Sequence, residues 1–166
     1  MAKTALKGNP VETSGSLPKV GEMAPDFTLV NSSLEEVKLS DFKGKNVVLN
    51  IFPSLDTGVC AASVRKFNKD AGSLDNTVVL GISADLPFAS GRFCSMEGIE
   101  NSISLSVFRD DKFAKDYGVL LIDGAMRGLT ARAVVIVNPE GKVIYNQLVP
   151  EITEEPDYNS AIDSIV

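Results

Sequence analysis

The chain has 166 residues, of which 44% are hydrophobic and 23% are charged, a balance typical of a globular protein rather than a disordered one. Its net charge of −6 argues against nucleic acid or an anionic membrane as a partner. Because the chain contains no histidine, Ser-His-Asp hydrolysis, Cys-His proteolysis and histidine-ligated zinc or haem are excluded.

The length fits one domain, which we expect to span residues 1–166. No apolar run approaches the roughly 20 residues that cross a bilayer. Residues 1–18 lack the apolar stretch of a signal peptide, so we expect a cytoplasmic protein. In that compartment the two cysteines are either inert packing residues or a reactive pair, since two thiols cannot complete a four-thiolate zinc site.

The first third of the chain predicts an arm followed by strands. Residues 1–18 are polar and predict a hairpin that precedes the main fold. Residues 24–30 predict a short strand, and 35–39 alternate like a half-exposed one. The nearly continuous apolar run 46–52 predicts a central strand buried on both faces, and Pro53 ends it.

The middle of the chain predicts two helices around a second buried strand. The first helix begins after Asp56-Thr57, both good N-cap residues, and ends near Gly72. The buried strand covers 77–83. Asp85-Leu86-Pro87 opens the second helix, with proline where the first turn tolerates it.

The last third completes the predicted sheet. We expect a strand at 103–108, a short helix at 111–117, strands at 132–137 and 142–149, and a closing helix from Asp157. Strands alternate with helices early in the chain, and a β-hairpin with a last helix ends it. The sequence therefore predicts an α/β sandwich with a mixed central sheet.

Cys60 falls in the first turn of the first predicted helix, directly after a central strand. The unpaired N–H groups and positive dipole end of a helix start favour a thiolate. Open α/β sheets also hold their sites at the carboxyl ends of such strands. However, Cys60, Val64, Phe67 and Ala71 form one apolar stripe, and cysteines at such positions are commonly small core residues. The spacing alone leaves both interpretations open.

Cys94 lies in the second predicted helix and, taken alone, is typical of a packing residue. That helix contains Gly91 and is followed by Gly98, and an interior glycine costs about 1 kcal/mol relative to alanine. It could therefore melt locally at little cost. There is no C-x-x-C motif. A disulfide between Cys60 and Cys94 would need Cα atoms within about 7 Å, which the sequence does not determine.

Cys60 is part of a longer sequence motif. Pro53, Thr57 and Cys60 match the P-x-x-x-T-x-x-C signature of peroxiredoxins. The chain resembles the bacterial thiol peroxidase branch of that family, an atypical two-cysteine group. The segments that carry this resemblance are 20–27, 56–68, 83–89, 128–132 and 154–158. It covers nearly the whole chain, with no departure at a motif position.

The resemblance implies a thioredoxin-like fold and the reduction of hydroperoxides. It implies that Cys60 is the peroxidatic thiol, oxidised to sulfenic acid, and that Cys94 is the resolving thiol in the same chain. It further implies thioredoxin as the electron donor, a homodimer that packs near the active site, and no metal, haem or flavin cofactor.

Catalysis of this kind needs hydrogen-bond donors as well as a thiolate. A free thiol is only ~3% ionised at pH 7, so greater ionisation gains at most ~30-fold. The remaining acceleration requires donors aimed at the peroxide oxygens. The Thr57 hydroxyl, the Cys60 backbone N–H and one arginine are suited to this. Pro53 would shape the loop that shields the thiol.

Three arginines are candidates for that donor. Arg65, five residues after Cys60, points to another side of the helix and suits a solvated face. Arg127 lies in a glycine-rich loop and could be a surface residue. Arg132 opens a buried strand, an expensive position for a charge without an anionic partner. The resemblance also selects Arg132.

Two rival functions are considered beside the peroxidase. One is a disulfide oxidoreductase on the same fold, against which the missing C-x-x-C motif and the presence of Thr57 argue. The other is a non-enzymatic binding module with two inert cysteines.

Overall fold

The computed structural model describes residues 2–165, which fold into a mixed sheet with helices packed against it. The strands are β1 (Lys3–Leu6), β2 (Asn9–Glu12), β3 (Thr28–Asn31), β4 (Glu36–Lys38), β5 (Asn46–Ile51), β6 (Thr77–Ser83), β7 (Ser102–Ser106), β8 (Ala133–Val137) and β9 (Val143–Leu148). The helices are α1 (Gly58–Asp70), α2 (Pro87–Glu97), α3 (Lys112–Asp116) and α4 (Tyr158–Asp163), with a 3-10 turn over Leu39–Phe42. The predicted α/β architecture with a mixed central sheet is confirmed.

The seven-stranded sheet has the order β4-β3-β7-β6-β5-β8-β9. Its centre is parallel, because β5 pairs with β6 and β6 with β7 in the same direction. β8 runs antiparallel to β5, and Ala133 lies opposite Ile51. The start of β8 therefore meets the carboxyl end of β5 at one edge of the sheet, where α1 also begins.

Each face of the sheet has its own apolar layer. On one face, Val48, Val134 and Ile136 pack with Phe67 of α1 and with α4. On the other, alternate residues of the same strands, such as Val135, pack with α3 and the segments beside it. Alternation along β8 places Arg132 on the face of Val134 and Ile136, which is the α1 face.

The predicted strand at residues 24–30 starts too early. The observed β3 begins at Thr28, because Pro25 has no N–H to donate to a ladder. The Asp26 carboxylate accepts hydrogen bonds from the Phe27 and Ser40 N–H groups, each at 3.0 Å, and holds the preceding residues in an irregular conformation.

The polar arm forms the expected hairpin, β1 and β2, and is tied to the segment after β9. Thr4 Oγ1 donates to the Val149 carbonyl at 2.8 Å, and the Ile152 N–H donates to the Ala5 carbonyl at 2.8 Å. The Glu151 carboxylate accepts from the turn N–H groups of Lys7 and Gly8 at 3.0 and 2.8 Å. These hydrogen bonds, led by that from Gly8, lower the pKa of Glu151 to about 2. The hairpin therefore fixes residues 149–152.

None of the helices in the described part of the chain combines the length and apolar character needed to cross a membrane.

Candidate active site

Cys60 lies in the first turn of α1, as expected. Buried Pro53 follows β5, and the chain turns through residues 54–57 before the helix starts. Thr57 is the N-cap in an extended conformation, and its Oγ1 accepts a hydrogen bond from the Cys60 N–H at 3.3 Å. This cap satisfies one of the N–H groups that a helix start leaves unpaired, so it fixes the position of the cysteine backbone.

The Cys60 side chain is completely buried, with 0% of its surface exposed. It forms an apolar cluster with Phe52, Leu55 and Val64, and Phe93 of α2 and Ile99 pack against that cluster. The interpretation of Cys60 as a core residue thus describes its apolar surroundings correctly, but it does not include the charged side chain that also contacts the sulfur.

Arg132 brings a buried positive charge against this sulfur. The residue is 2% exposed, and its Nη2 donates to Cys60 Sγ at 3.1 Å. Its Nε donates to the Ile152 carbonyl at 2.7 Å, which orients the guanidinium. Nη1 is buried and has no partner among the described residues. A buried, unpaired N–H group beside a sulfur nucleophile is a ready donor for an oxygen atom of a small ligand.

The other two arginines lie elsewhere. Arg65 is 49% exposed and forms a bidentate ion pair with Glu97 at the end of α2, with both N–O distances 3.0 Å. The hydrogen bonds from Arg65 lower the pKa of Glu97. Arg127 is exposed in its loop. Arg65 therefore points away from the thiol as predicted, but it joins α1 to α2 instead of only facing solvent.

Two of the donors expected for a peroxide are already engaged. The Cys60 N–H is used by Thr57 Oγ1, and the Thr57 hydroxyl donates to the Ser54 carbonyl at 3.2 Å. Both are long hydrogen bonds, which a better acceptor could replace. In this conformation they maintain the loop and the helix start.

Cys94 is half-buried on α2, and its Sγ lies 3.2 Å from Ser104 Oγ on β7. It is not bonded to Cys60, since both cysteines are free. Only Pro87 and Ser90 of α2 are buried, so the helix is weakly held. A surface depression of about 440 Å³ adjoins Cys94.

The two glycines of this helix have different roles. Gly98 ends α2 in the left-handed conformation, with φ +66°. At Gly91 a Cβ atom would lie 3.3 Å from Ser32 Cβ, so this glycine also permits close packing against the β3–β4 turn. Gly91 therefore lowers the helix propensity of α2 but also permits this close packing, which the sequence did not reveal.

Asp85 is a site residue that the sequence reasoning missed. It follows β6, and its carboxylate accepts hydrogen bonds from Ser54 Oγ and the Leu55 N–H, both at 2.7 Å. The available signal was a carboxylate directly after a buried parallel strand, at the edge where α/β sheets hold their sites. Among the described residues, no group of three or more His, Cys, Asp or Glu side chains is placed to hold a metal ion.

Most of the chain matches a known protein family. The family described as Redoxin matches residues 19–162. The chain belongs to the redoxin family. It is 56% identical over 165 residues to a thiol peroxidase of Corynebacterium glutamicum, with 99% of each chain covered. This redoxin is therefore a thiol-dependent peroxidase of the peroxiredoxin type, and the expected membership of the bacterial thiol peroxidases is confirmed.

Solved structures share the fold of this chain. A peroxiredoxin-like protein from Aquifex aeolicus superposes with a TM-score of 0.94 at 43% identity, covering 99% of this redoxin and 96% of that chain. A thiol peroxidase from Chromobacterium violaceum gives 0.91 at 21% identity, covering 98% and 94%. Mycobacterium bovis AhpC gives 0.71 at 18% identity, covering 90% and 96%, and likewise shares the fold. The expected thioredoxin-like fold is confirmed.

Proposed function

We propose that this chain reduces hydrogen peroxide and organic hydroperoxides with Cys60 as the attacking thiol. The observation that carries the proposal is the 3.1 Å hydrogen bond from Arg132 Nη2 to Cys60 Sγ, between two buried residues. The thiolate is the nucleophilic form of cysteine, and an adjacent guanidinium favours negative charge on sulfur. Cys94, in contrast, has a serine hydroxyl as its partner.

In the first step the Cys60 thiolate attacks one peroxide oxygen. An S–O bond forms and the O–O bond breaks, so Cys60 is oxidised to a sulfenic acid and the peroxide is reduced. The departing oxygen takes up, by way of solvent, the proton that the Cys60 thiol lost on ionisation, and it leaves as water or an alcohol. Arg132 Nη1 is free to donate to the peroxide, and the Thr57 hydroxyl becomes a second donor if it leaves the Ser54 carbonyl. Pro53 and the loop after it keep water from the sulfur.

In the second step Cys94 resolves the sulfenic acid. The Cys94 sulfur attacks the Cys60 sulfur, an S–S bond forms, the S–O bond breaks, and the oxygen leaves as water with the proton of the Cys94 thiol. The weak packing of α2 supports this role, because Cys94 must leave its place beside Ser104. The disulfide remains within one chain.

Thioredoxin would then reduce the disulfide by thiol–disulfide exchange and restore both thiols. The depression beside Cys94 gives a partner thiol access to that side of the pair. We place this cycle in the cytoplasm, where free thiols persist.

We also propose that the chain forms a homodimer through the surface beyond the carboxyl ends of β6 and β7, beside the active site. Leu86, Phe88 and Phe108 follow the adjacent strands β6 and β7 and are 55%, 69% and 43% exposed. Large apolar side chains grouped in this way favour an interface. Sedimentation of the wild type and Phe88→Glu tests it: we expect a dimer that the substitution weakens, and a wild-type monomer would contradict it.

The decisive experiment measures peroxide consumption with thioredoxin, thioredoxin reductase and NADPH. Cys60→Ser should abolish activity. Cys94→Ser should consume about one equivalent of peroxide per chain and then stop, because its sulfenic acid is not resolved. Full turnover by Cys94→Ser would refute the resolving role, and an active Cys60→Ser enzyme would refute the whole proposal. Insulin reduction by dithiothreitol separates the rival, since a disulfide oxidoreductase accelerates it and a peroxidase does not.

A further inference from the structure

One carboxylate joins the two segments that carry the cysteines. Asp85 lies between β6 and α2, the helix of Cys94, and its oxygens accept from Ser54 Oγ, the Leu55 N–H and Ser83 Oγ, each at 2.7 Å. Ser54 and Leu55 belong to the loop between β5 and α1, the helix of Cys60. Hydrogen bonds to an ionised acceptor are the stronger kind, so this connection is substantial.

Asp85 is itself fixed to the rigid sheet. Its N–H donates to Ser83 Oγ at 3.2 Å, and its carbonyl accepts from the Ser106 hydroxyl. Ser83 and Ser106 are 2% exposed and lie opposite each other at the carboxyl ends of β6 and β7. The carboxylate is therefore held by the sheet while it holds the loop.

The loop passes this restraint to the thiol by two routes. The Ser54 carbonyl accepts from both the N–H and the hydroxyl of Thr57, and Thr57 Oγ1 caps the Cys60 N–H. Leu55, whose N–H is bound by Asp85, packs in the apolar cluster around Cys60. Asp85 thus orients the helix start and keeps an apolar cover over the sulfur.

We propose that Asp85 is a positioning residue that holds the Cys60 loop in its peroxide-reactive conformation, and that release of its hydrogen bonds frees this loop for the disulfide step. The second half of this statement rests on the proposed function, in which Cys60 and Cys94 form the disulfide. Without Asp85 the equilibrium shifts toward an open loop, in which the donors around Cys60 are misaligned and its sulfur is exposed.

Removal of Asp85 should change the rates of two Cys60 reactions in opposite directions. In a Cys94→Ser background, Asp85→Ala should lower the rate constant for hydrogen peroxide at least ~10-fold, because the donors lose their alignment. The same variant should react at least ~10-fold faster with N-ethylmaleimide, a bulkier reagent that needs an exposed sulfur. With Cys94 present, rapid quenching and mass spectrometry should show faster disulfide closure after peroxide.

The matched control is Asp26→Ala. That carboxylate also accepts two N–H groups, but it lies near the start of β5 and the end of β8, at the opposite edge of the sheet. We expect both Cys60 rates to stay within about two-fold of the parent. Asp85→Asn and Ser54→Ala should shift both rates in the same directions as Asp85→Ala but by less, and they decide the question if Asp85→Ala does not fold.

Two results would overturn the proposal. One is an Asp85 variant whose peroxide and maleimide rates match those of the Asp26→Ala control. The other is a slower peroxide reaction without faster alkylation, which would mean that Asp85 does not hold the loop closed. Failure of the wild type to form the Cys60–Cys94 disulfide would refute the proposed function and leave the two rates in the Cys94→Ser background as the test of positioning.

Discussion

Replacing Arg132 with lysine tests the contact on which the peroxidase chemistry depends. The guanidinium reaches the Ile152 carbonyl through Nε and the Cys60 sulfur through Nη2, and it keeps Nη1 for a ligand. Lysine has one side-chain nitrogen, so it cannot donate to the Ile152 carbonyl, the Cys60 sulfur and a ligand in one plane. We therefore expect Arg132→Lys to lose at least ~10²-fold in the rate with peroxide, equivalent to about 2.7 kcal/mol.

The assay is rapid-quench oxidation of Cys60 in a Cys94→Ser background, followed by mass spectrometry. Thermal unfolding followed by circular dichroism checks that the variant is folded, since the position is 2% exposed. Arg127→Lys is the control: it is exposed, and we expect its rate to stay within about two-fold of the parent. An Arg132→Lys enzyme as fast as that control would refute the reasoning.

Three further outcomes are expected. Thr57→Val should lower the peroxide rate ~10-fold or more while Thr57→Ser keeps most of it, because serine retains the hydroxyl that caps Cys60; equal losses would contradict this. In hydrogen exchange, residues 88–98 should exchange much faster in oxidised than in reduced protein, whereas 134–137 stay protected; equal protection of 88–98 in both forms would contradict local unfolding. Because the folded-state pKa of Glu151 is lowered from 4.5 to about 2, its hold on the hairpin is complete above pH 4.5 and is lost toward pH 2. The Gly8 amide resonance should therefore titrate near pH 2, and Glu151→Gln should remove this transition; a midpoint near 4.5 would contradict it.

Much of the fold could be predicted from local patterns. The strand at Thr77–Ser83 has the predicted bounds, since a buried apolar run between polar turns leaves little ambiguity. The helix start at Thr57 is also predicted correctly, because threonine is a preferred N-cap residue. The predicted start of β3 is wrong, because Pro25 cannot donate to a strand ladder and the Asp26 side chain forms hydrogen bonds that are not part of one.

The site could be predicted only as far as local chemistry reaches. The cost of burying a charge singled out Arg132, and the structure places it against Cys60. Its second partner, the Ile152 carbonyl, and the hydrogen bonds of Asp85 join residues far apart in the chain. They depend on sheet register and loop path, which no short pattern encodes. An N-cap threonine also accepts a hydrogen bond from the helix N–H groups, so the Thr57 side chain competes with a ligand for the Cys60 N–H.

The register between β5 and β8 limits where this chain can gain or lose a residue. Ala133 pairs with Ile51, and side chains alternate between faces along β8, so Arg132 reaches the α1 face only in this alignment. Inserting or deleting one residue between Arg132 and Val137 would turn the guanidinium to the opposite face unless a bulge absorbed the change. The turn at 138–142 has no parity constraint of this kind, but its Pro139 and Gly141 carbonyls accept hydrogen bonds from the Gly44 and Ala24 N–H groups at 3.1 and 2.9 Å. A change of length there would disturb these two contacts without turning Arg132, whereas a change within β8 would remove the guanidinium from Cys60.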